Sequence, residues 1–476
     1  MGVMPSEPSR GITARPALAL ALVGGLVWAS TVAISGTSTA AHVAHATPDT
    51  SWTVYHGNAL SSGVSTSLSS VDVSHRAWTS PTLSGQIYGE PLVYGSDVYV
   101  ATENDVVYAL SAATGRVVWG RHLASAVPSS KLPCGDIGPV VGITGTPVID
   151  PSRSEIFVVA DELVNGGPEH YLVGLSTTNG KVELRVHVDP PGSTPAALLQ
   201  RTGLNLDNGN VIFAMGGNYG DCASYRGRVI SVGETGSPRR IFTVDARPGD
   251  SQGAIWMGGA APVVDAHGNV WVSTGNGSVS SPGQAYDDSD GVLELSSTLR
   301  LKQYFAPSDW TTNNGEDLDM STAPMLLSDG QVVLVGKSRI AYLLRASHLG
   351  GIGPGLASLG GLCDQDVDGG GVVSGSTIYL PCLSGPVALR VGASSLRLLW
   401  SSGVGGGPPL LVGNVLWTIA QSGVLYGLNP ATGQALTQVT VGQTYDNHFP
   451  TPSVGDGLFL VPTSSGVVAF HGTAAN

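Results

Sequence analysis

Residues 364–369 read Asp-Gln-Asp-Val-Asp-Gly. Carboxylates at alternate positions, with a glycine at the sixth, can wrap a calcium ion. The twelfth position of such a loop falls on Gly375, where an EF-hand needs a glutamate, and no helical pattern flanks it. An EF-hand is therefore excluded. Asp364, Asp366 and Asp368 are expected to form a calcium loop of another kind or an acidic surface loop. Gly249-Asp250-Ser251-Gln252-Gly253 matches the G-x-S-x-G pattern of a serine nucleophile. That pattern needs a helix after it, and Met257-Gly258-Gly259 breaks one. The 11 histidines show no zinc-binding spacing, and no Walker loop occurs. The 4 cysteines, Cys134, Cys222, Cys363 and Cys382, include no C-x-x-C pair, so metal binding is the weaker reading. Three disulfide pairings exist; nearness in sequence favours Cys363–Cys382, which leaves Cys134–Cys222.

Any such chemistry has to be carried by a repeated unit. A β-branched strand, a turn, a second apolar strand, a Thr-Gly turn and a third strand recur along the chain. The clearest copy runs Val98-Tyr99-Val100-Ala101-Thr102, Val106-Val107-Tyr108-Ala109-Leu110, Ala113-Thr114-Gly115, Val117-Val118-Trp119. A near match covers Leu416 to Gly433, and further copies start near Ile156, Val211, Val270, Val332, Ile378 and Leu458. Eight copies spaced by about 50 residues imply an all-β, eight-bladed propeller of four-stranded antiparallel blades. One blade cannot bury both of its faces; a closed ring of blades does so and leaves few open edges. The strand-like Trp52-Thr53-Val54-Tyr55 has no blade of its own and is expected to complete the last one. A short helical excursion is expected near Pro195 to Arg201.

Residues 109–119, Ala-Leu-Ser-Ala-Ala-Thr-Gly-Arg-Val-Val-Trp, resemble the signature of the pyrroloquinoline-quinone (PQQ) repeat family, A-x-D-x-x-T-G-K-x-x-W, with one extra residue. Ser111 stands where that family usually has Asp. The resemblance implies that Trp119 docks between adjacent blades and staples the ring. It covers essentially the whole chain after residue 46. The family includes both quinoprotein dehydrogenases and binding scaffolds, so the repeat by itself fixes the fold and not the activity.

The resemblance extends to a candidate cofactor site. Residues 255–276 are similar to a dehydrogenase run in which a Trp lies flat under the quinone and a Thr-Gly-Asn supplies a calcium ligand; Trp256 and Asn276 match. A flat apolar ring suits a planar quinone, and amide and carboxylate oxygens suit a hard cation. Asp317-Leu318-Asp319 resembles the family's D-x-D. This implies Asp319 as the base that takes the alcohol proton and Asp317 as a metal contact. Lys337, in Gly336-Lys337-Ser338-Arg339, matches the lysine that donates to the quinone oxygens. There are departures. Asp221 stands where the family has a glutamate calcium ligand, two adjacent cysteines are missing, and Arg339 and Arg345 replace a Gly and an Asp. The haem motif C-x-x-C-H is absent, so no haem is expected.

Charged residues are only 12% of the chain, Gly numbers 66, and the formal net charge is −13, a sign that repels nucleic acid. Arg10 and Arg15, an apolar run over 17–34 and Ala44-His45-Ala46 read as a cleaved export signal over 1–46, with an uncleaved anchor as the alternative. The expectation is thus a secreted, monomeric propeller domain over 47–476. It would be a scaffold with a degenerate quinone site, binding a small molecule, protein or glycan on its face. The alternative is a PQQ- and calcium-dependent dehydrogenase acting on an alcohol or sugar.

Overall fold

Runs such as Val-Tyr-Val-Ala-Thr pack well on a pleated surface, and the Gly-rich turns between them supply the positive φ that tight reversals need. The computed structural model describes residues 50–443 and 449–475, which belong to one compact unit, Thr47–Asn476. The export-signal residues 1–46 lie outside the described residues. Eight sheets of four or five strands, antiparallel except for an added parallel edge strand in two of them, make an eight-bladed propeller. Blade I is 92–122, blade II 148–187, blade III 205–243 and blade IV 263–307. Blade V is 325–359, blade VI 372–401, blade VII 410–440 and blade VIII 453–474. The second strand of each blade falls on one of the eight repeat copies, from Asp97–Thr102 to Leu458–Thr463.

Closure differs from the expected clasp. Blade VIII supplies only three of its own strands, and its fourth is Leu68–Thr79 from the start of the domain, paired with Gly466–Ala474. Trp52-Tyr55 does something else. The innermost strand of every blade turns a free edge to the axis, and residues 50–65 lace along those edges. Trp52 exchanges two 2.8 Å hydrogen bonds with Val93 of blade I. Thr53 O accepts from Ile149 of blade II, and Ala59 O from Val264 of blade IV and the Asn205 side chain of blade III. Ser62 O and Gly63 O accept from Val373 and Leu411 of blades VI and VII, and Thr50 O accepts from Asp456 of blade VIII. Satisfying these groups inside the ring removes a desolvation cost that an unlaced axis would carry.

The staple implied for Trp119 occurs three times. Trp78, Trp119 and Trp400 lie on outermost strands. Each donates its indole N–H to a turn of the next blade, at Ala112 O (2.6 Å), Thr177 O (2.9 Å) and Pro430 O (3.1 Å). Each ring lies on a glycine of that turn: Gly115, Gly180 and Gly433, all near φ +70°. A Cβ there would sit 2.4–2.5 Å from the indole. The expected helix near Pro195 is a single 3₁₀ turn, Pro195–Ala197, followed by the short strand Leu198–Leu199. The α-helix Trp310–Glu316 instead links blades IV and V. Both favoured disulfides are formed, Cys134–Cys222 and Cys363–Cys382.

Gly115→Ala drives a Cβ into Trp78 at a positive φ and is expected to cost about 1–3 kcal/mol, with Gly433→Ala behaving alike. Gly167→Ala, where a Cβ meets nothing within 4 Å, is the control and stays near neutral. Urea unfolding of the three variants checks this; equal stabilities would remove the staple from the account.

Candidate functional site

Strands alternate in direction within a blade. Loops entering a blade and loops joining its second and third strands therefore emerge on the same face. Trp256 (244–262), Asp317 and Asp319 (308–324) and Asp364, Asp366 and Asp368 (360–371) lie on loops that enter blades IV, V and VI. Asp221 (218–227), Asn276 (275–290) and Lys337 (336–340) lie on second-to-third-strand loops of blades III, IV and V. The ring thus places every sequence-derived candidate on one face.

Four of them converge. Asp319 is 1% exposed and accepts from the Asn276 backbone N–H at 2.7 Å. Its other oxygen lies 2.5 Å from Lys337 Nζ. The Asn276 side-chain N–H₂ donates to Asp317 at 2.6 Å, and Lys337 Nζ lies 3.4 Å from both Asp317 oxygens. Two glycines allow this approach: a Cβ on Gly275 would fall 2.3 Å from Asp319 Oδ1, and one on Gly336 2.4 Å from its carbonyl. Asp317 is exposed and holds the left-handed C-cap of the helix Trp310–Glu316. Burial pulls the Lys337 ammonium down, but Asp319 and Asp317 outweigh it and hold the proton firmly. Burial pushes the Asp319 carboxyl above its ordinary range, against the opposing pull of Lys337.

The remaining candidates are arranged around this knot. Trp256 is half-buried, donates to Gly217 O at 2.8 Å and covers Gly216, so its ring packs on blade III. Asp221 accepts from Tyr225 Oη at 2.6 Å and acts electrostatically on Asp319 and Asp317. Asp364 and Asp366 are exposed, while Asp368 is partly buried; burial pushes its carboxyl up to about 7, and Lys337 opposes this.

A calcium ion is tested by these donors. The buried Asn276 Oδ1 has no hydrogen-bond partner among the described residues and would suit a hard cation. Asp317 and Asp319, however, already surround an ammonium, and Asp221 is bonded by Tyr225. Among the described residues, no group of three or more His, Cys, Asp or Glu side chains is placed to hold a metal ion. The arrangement does not fit calcium. It fits the quinone no better, because the ammonium that would donate to it is taken by two carboxylates.

Other residues of this face escaped the sequence reading. Arg201, on the loop entering blade III, is 7% exposed and faces the rings of Tyr88 and Phe449. Its one signal in sequence is a lone cation after the apolar stretch Ala196-Ala197-Leu198-Leu199. Between blades I and II lies a buried carboxylate group of Glu103, Asp105, Asp161 and Glu162. His170 joins it, with Nδ1 2.8 Å from Asp189 and Nε2 3.8 Å from Asp161. These acids come from two distant stretches, 103–105 and 161–162, and carry no motif. A groove of about 550 Å³ on this face lies beside blades VIII and I. Leu83, Gln86, Glu103 and Gln443 line it, so it is not at the Lys337 knot.

The propeller and its repeat define the class, and comparison with known proteins agrees. The family model described as outer membrane protein assembly factor BamB, a PQQ-repeat model, matches residues 19–291, more than half of the chain. The chain belongs to that PQQ-repeat family. Among solved structures it is similar to quinohemoprotein alcohol dehydrogenase from Comamonas testosteroni, at TM-score 0.62 and 16% identity over 90% of this chain and 81% of that one. It is also similar to a europium-containing methanol dehydrogenase, at TM-score 0.61 and 14% identity over 87% and 90%. BamB from Moraxella catarrhalis aligns at TM-score 0.52 and 14% identity over 82% and 95%. At such identities the likeness is one of fold. No curated protein matches the chain.

Two predictions follow from the charges. Burial pushes Glu103 and Asp161 up to about 7, as it does Asp368. A carboxyl raised in the fold contributes stability fully below its unfolded value and loses it as pH rises through the folded value. Burial lowers His170, but Asp161 and Asp189 outweigh it and raise the group, which acts in the same direction. Burial lowers His56 to about 4, which opposes them below pH ~6.5. The thermal midpoint is therefore expected to fall from pH 5 to pH 8, and Glu103→Gln to flatten the slope; a level profile would contradict these assignments. Lys337→Met leaves Asp319 buried without its counter-charge and is expected to cost at least about 2 kcal/mol in urea unfolding, partly regained in Lys337→Met/Asp319→Asn. An unchanged midpoint would show that the pair does not hold.

Proposed function

We propose that this chain is an exported PQQ-repeat propeller that works as a binding scaffold, its quinone site degenerate. The observation that carries this reading is the Lys337 ammonium enclosed by Asp319 and Asp317. A general base has to take a proton from substrate, and Asp319 is buried with both oxygens engaged, by the Asn276 N–H and by Lys337. Export is supported by the Arg-flanked apolar run over 17–34 and by two disulfides, which persist in oxidising compartments. The loop-built face, braced by both disulfides, is the surface offered to a small molecule, a protein or a glycan.

The second reading is a PQQ- and calcium-dependent dehydrogenase, with Asp319 as its base. One observation favours it: Asn276, Asp317, Asp319 and Lys337 converge on the face that also carries Trp256 and Asp221. The two readings separate on reconstitution. Purified protein is incubated with micromolar PQQ and calcium, dialysed, and assayed for retained quinone and dye-linked alcohol oxidation. The scaffold reading expects neither. Retained quinone with alcohol-dependent dye reduction would overturn it.

A further inference from the structure

We propose that the loop-built face holds a carboxylate at Arg201, and that the ligand is a small monocarboxylate with an aromatic or aliphatic body. This rests on the reading of that face as a binding surface, and it names the chemistry the face would select.

Arg201 is 7% exposed, yet its guanidinium makes no hydrogen bond or ion pair among the described residues. Two other cations have acceptors. Lys337 is neutralised by Asp319 and Asp317, and Arg185 meets Glu162. Glu103, Asp136 and Asp368 act on Arg201 electrostatically, but none closes to an ion pair. A largely buried cation without a protein acceptor carries a desolvation cost. A bound anion would remove that cost.

The surroundings select the anion. The guanidinium carbon lies 4.7 Å from the Phe449 ring centre and 5.4 Å from that of Tyr88. On another side is the loop that carries Trp256, where a Cβ on Gly259 would come 3.4 Å from Nη1. A planar fork of N–H donors matches a carboxylate bidentately, and the rings offer an apolar wall for the body attached to it. The nearby Glu103, Asp136 and Asp368, and a chain charge of −13, disfavour a dianion against a monoanion. Arg201 matches no residue of the quinone-site resemblance and takes no part in the Lys337 cluster.

The test titrates the purified full-length protein with benzoate at neutral pH and low salt, followed by calorimetry and thermal midpoint. Benzamide serves as the neutral isostere and inorganic phosphate as the second oxyanion. Benzoate is expected to bind at least about tenfold more tightly than benzamide and more tightly than phosphate. Arg201→Met is expected to abolish benzoate binding. It is also expected to raise the ligand-free midpoint by about 1–3 °C, because it removes an uncompensated buried charge. Should that variant fail to fold, Arg201→Lys keeps the charge but loses the fork, and is expected to weaken benzoate about tenfold. Equal binding of benzoate and benzamide, tighter binding of phosphate, or benzoate affinity unaltered in either variant would overturn the assignment. No quinone or calcium is present in these titrations, so their failure is distinct from failure of the scaffold reading, which is decided by cofactor retention.

Discussion

Everything in this molecule depends on closing a ring whose two ends are far apart in sequence. Leu68–Thr79 has to find Gly466–Ala474 before blade VIII has an outer strand. Until then the last blade offers an unpaired edge, and the outer face of blade I lacks the strand that carries Trp78. Contacts of that separation demand loop-closure entropy before they return any stability. Two further devices keep the ring closed once formed. Residues 50–65 run past seven blades and take up inner-strand N–H groups, and indoles on three outer strands rest on glycine turns of the following blade.

The same closure determines the electrostatics of the loop-built face. Packing eight blades around one axis drives loops together that no local sequence relation connects. Asp319 from one loop and Lys337 from another meet at 2.5 Å, and Asn276 from a third bridges to Asp317. Glu103 and Asp161 belong to different blades and are buried together, and burial is what raises both. The ring thus decides which charges are neutralised and which, like Arg201, are left largely buried without a partner among the described residues. A resemblance in residue order does not carry that information. A lysine in the position of a quinone donor becomes, in this packing, the counter-ion of two aspartates.

Much of the fold was legible because it repeats. The Val-rich strands at Val98, Ile156, Val211 and their counterparts each mark the second strand of a blade, and residues 109–119 anticipated the indole staple at Thr177. The closing strand was not legible. Leu68-Ser69-Ser70-Val71-Asp72-Val73-Ser74-His75-Arg76 is polar and half exposed, with three register shifts against its partner, so it lacks a clean alternation. Trp52-Thr53-Val54-Tyr55 looks more like a strand because it is buried, yet its burial is along the axis. Of the site, Trp256, Asn276, Asp317, Asp319 and Lys337 could be picked out by family resemblance. Arg201 and the Glu103–Asp161 group could not, since Arg201 is a lone cation and the acids meet only where blades I and II pack together.

By itself, then, the sequence determined the local and periodic properties: strand composition, turn glycines, eight repeats, and the family to which they belong. These follow from side-chain pattern and backbone preference, which act over a few residues. The tertiary structure alone decided which chain end closes the ring, what fills the axis, and how the charges of the loop-built face pair. The reason is physical. Pairing, burial and desolvation depend on distances between atoms from different blades, and those distances exist only once the ring is shut.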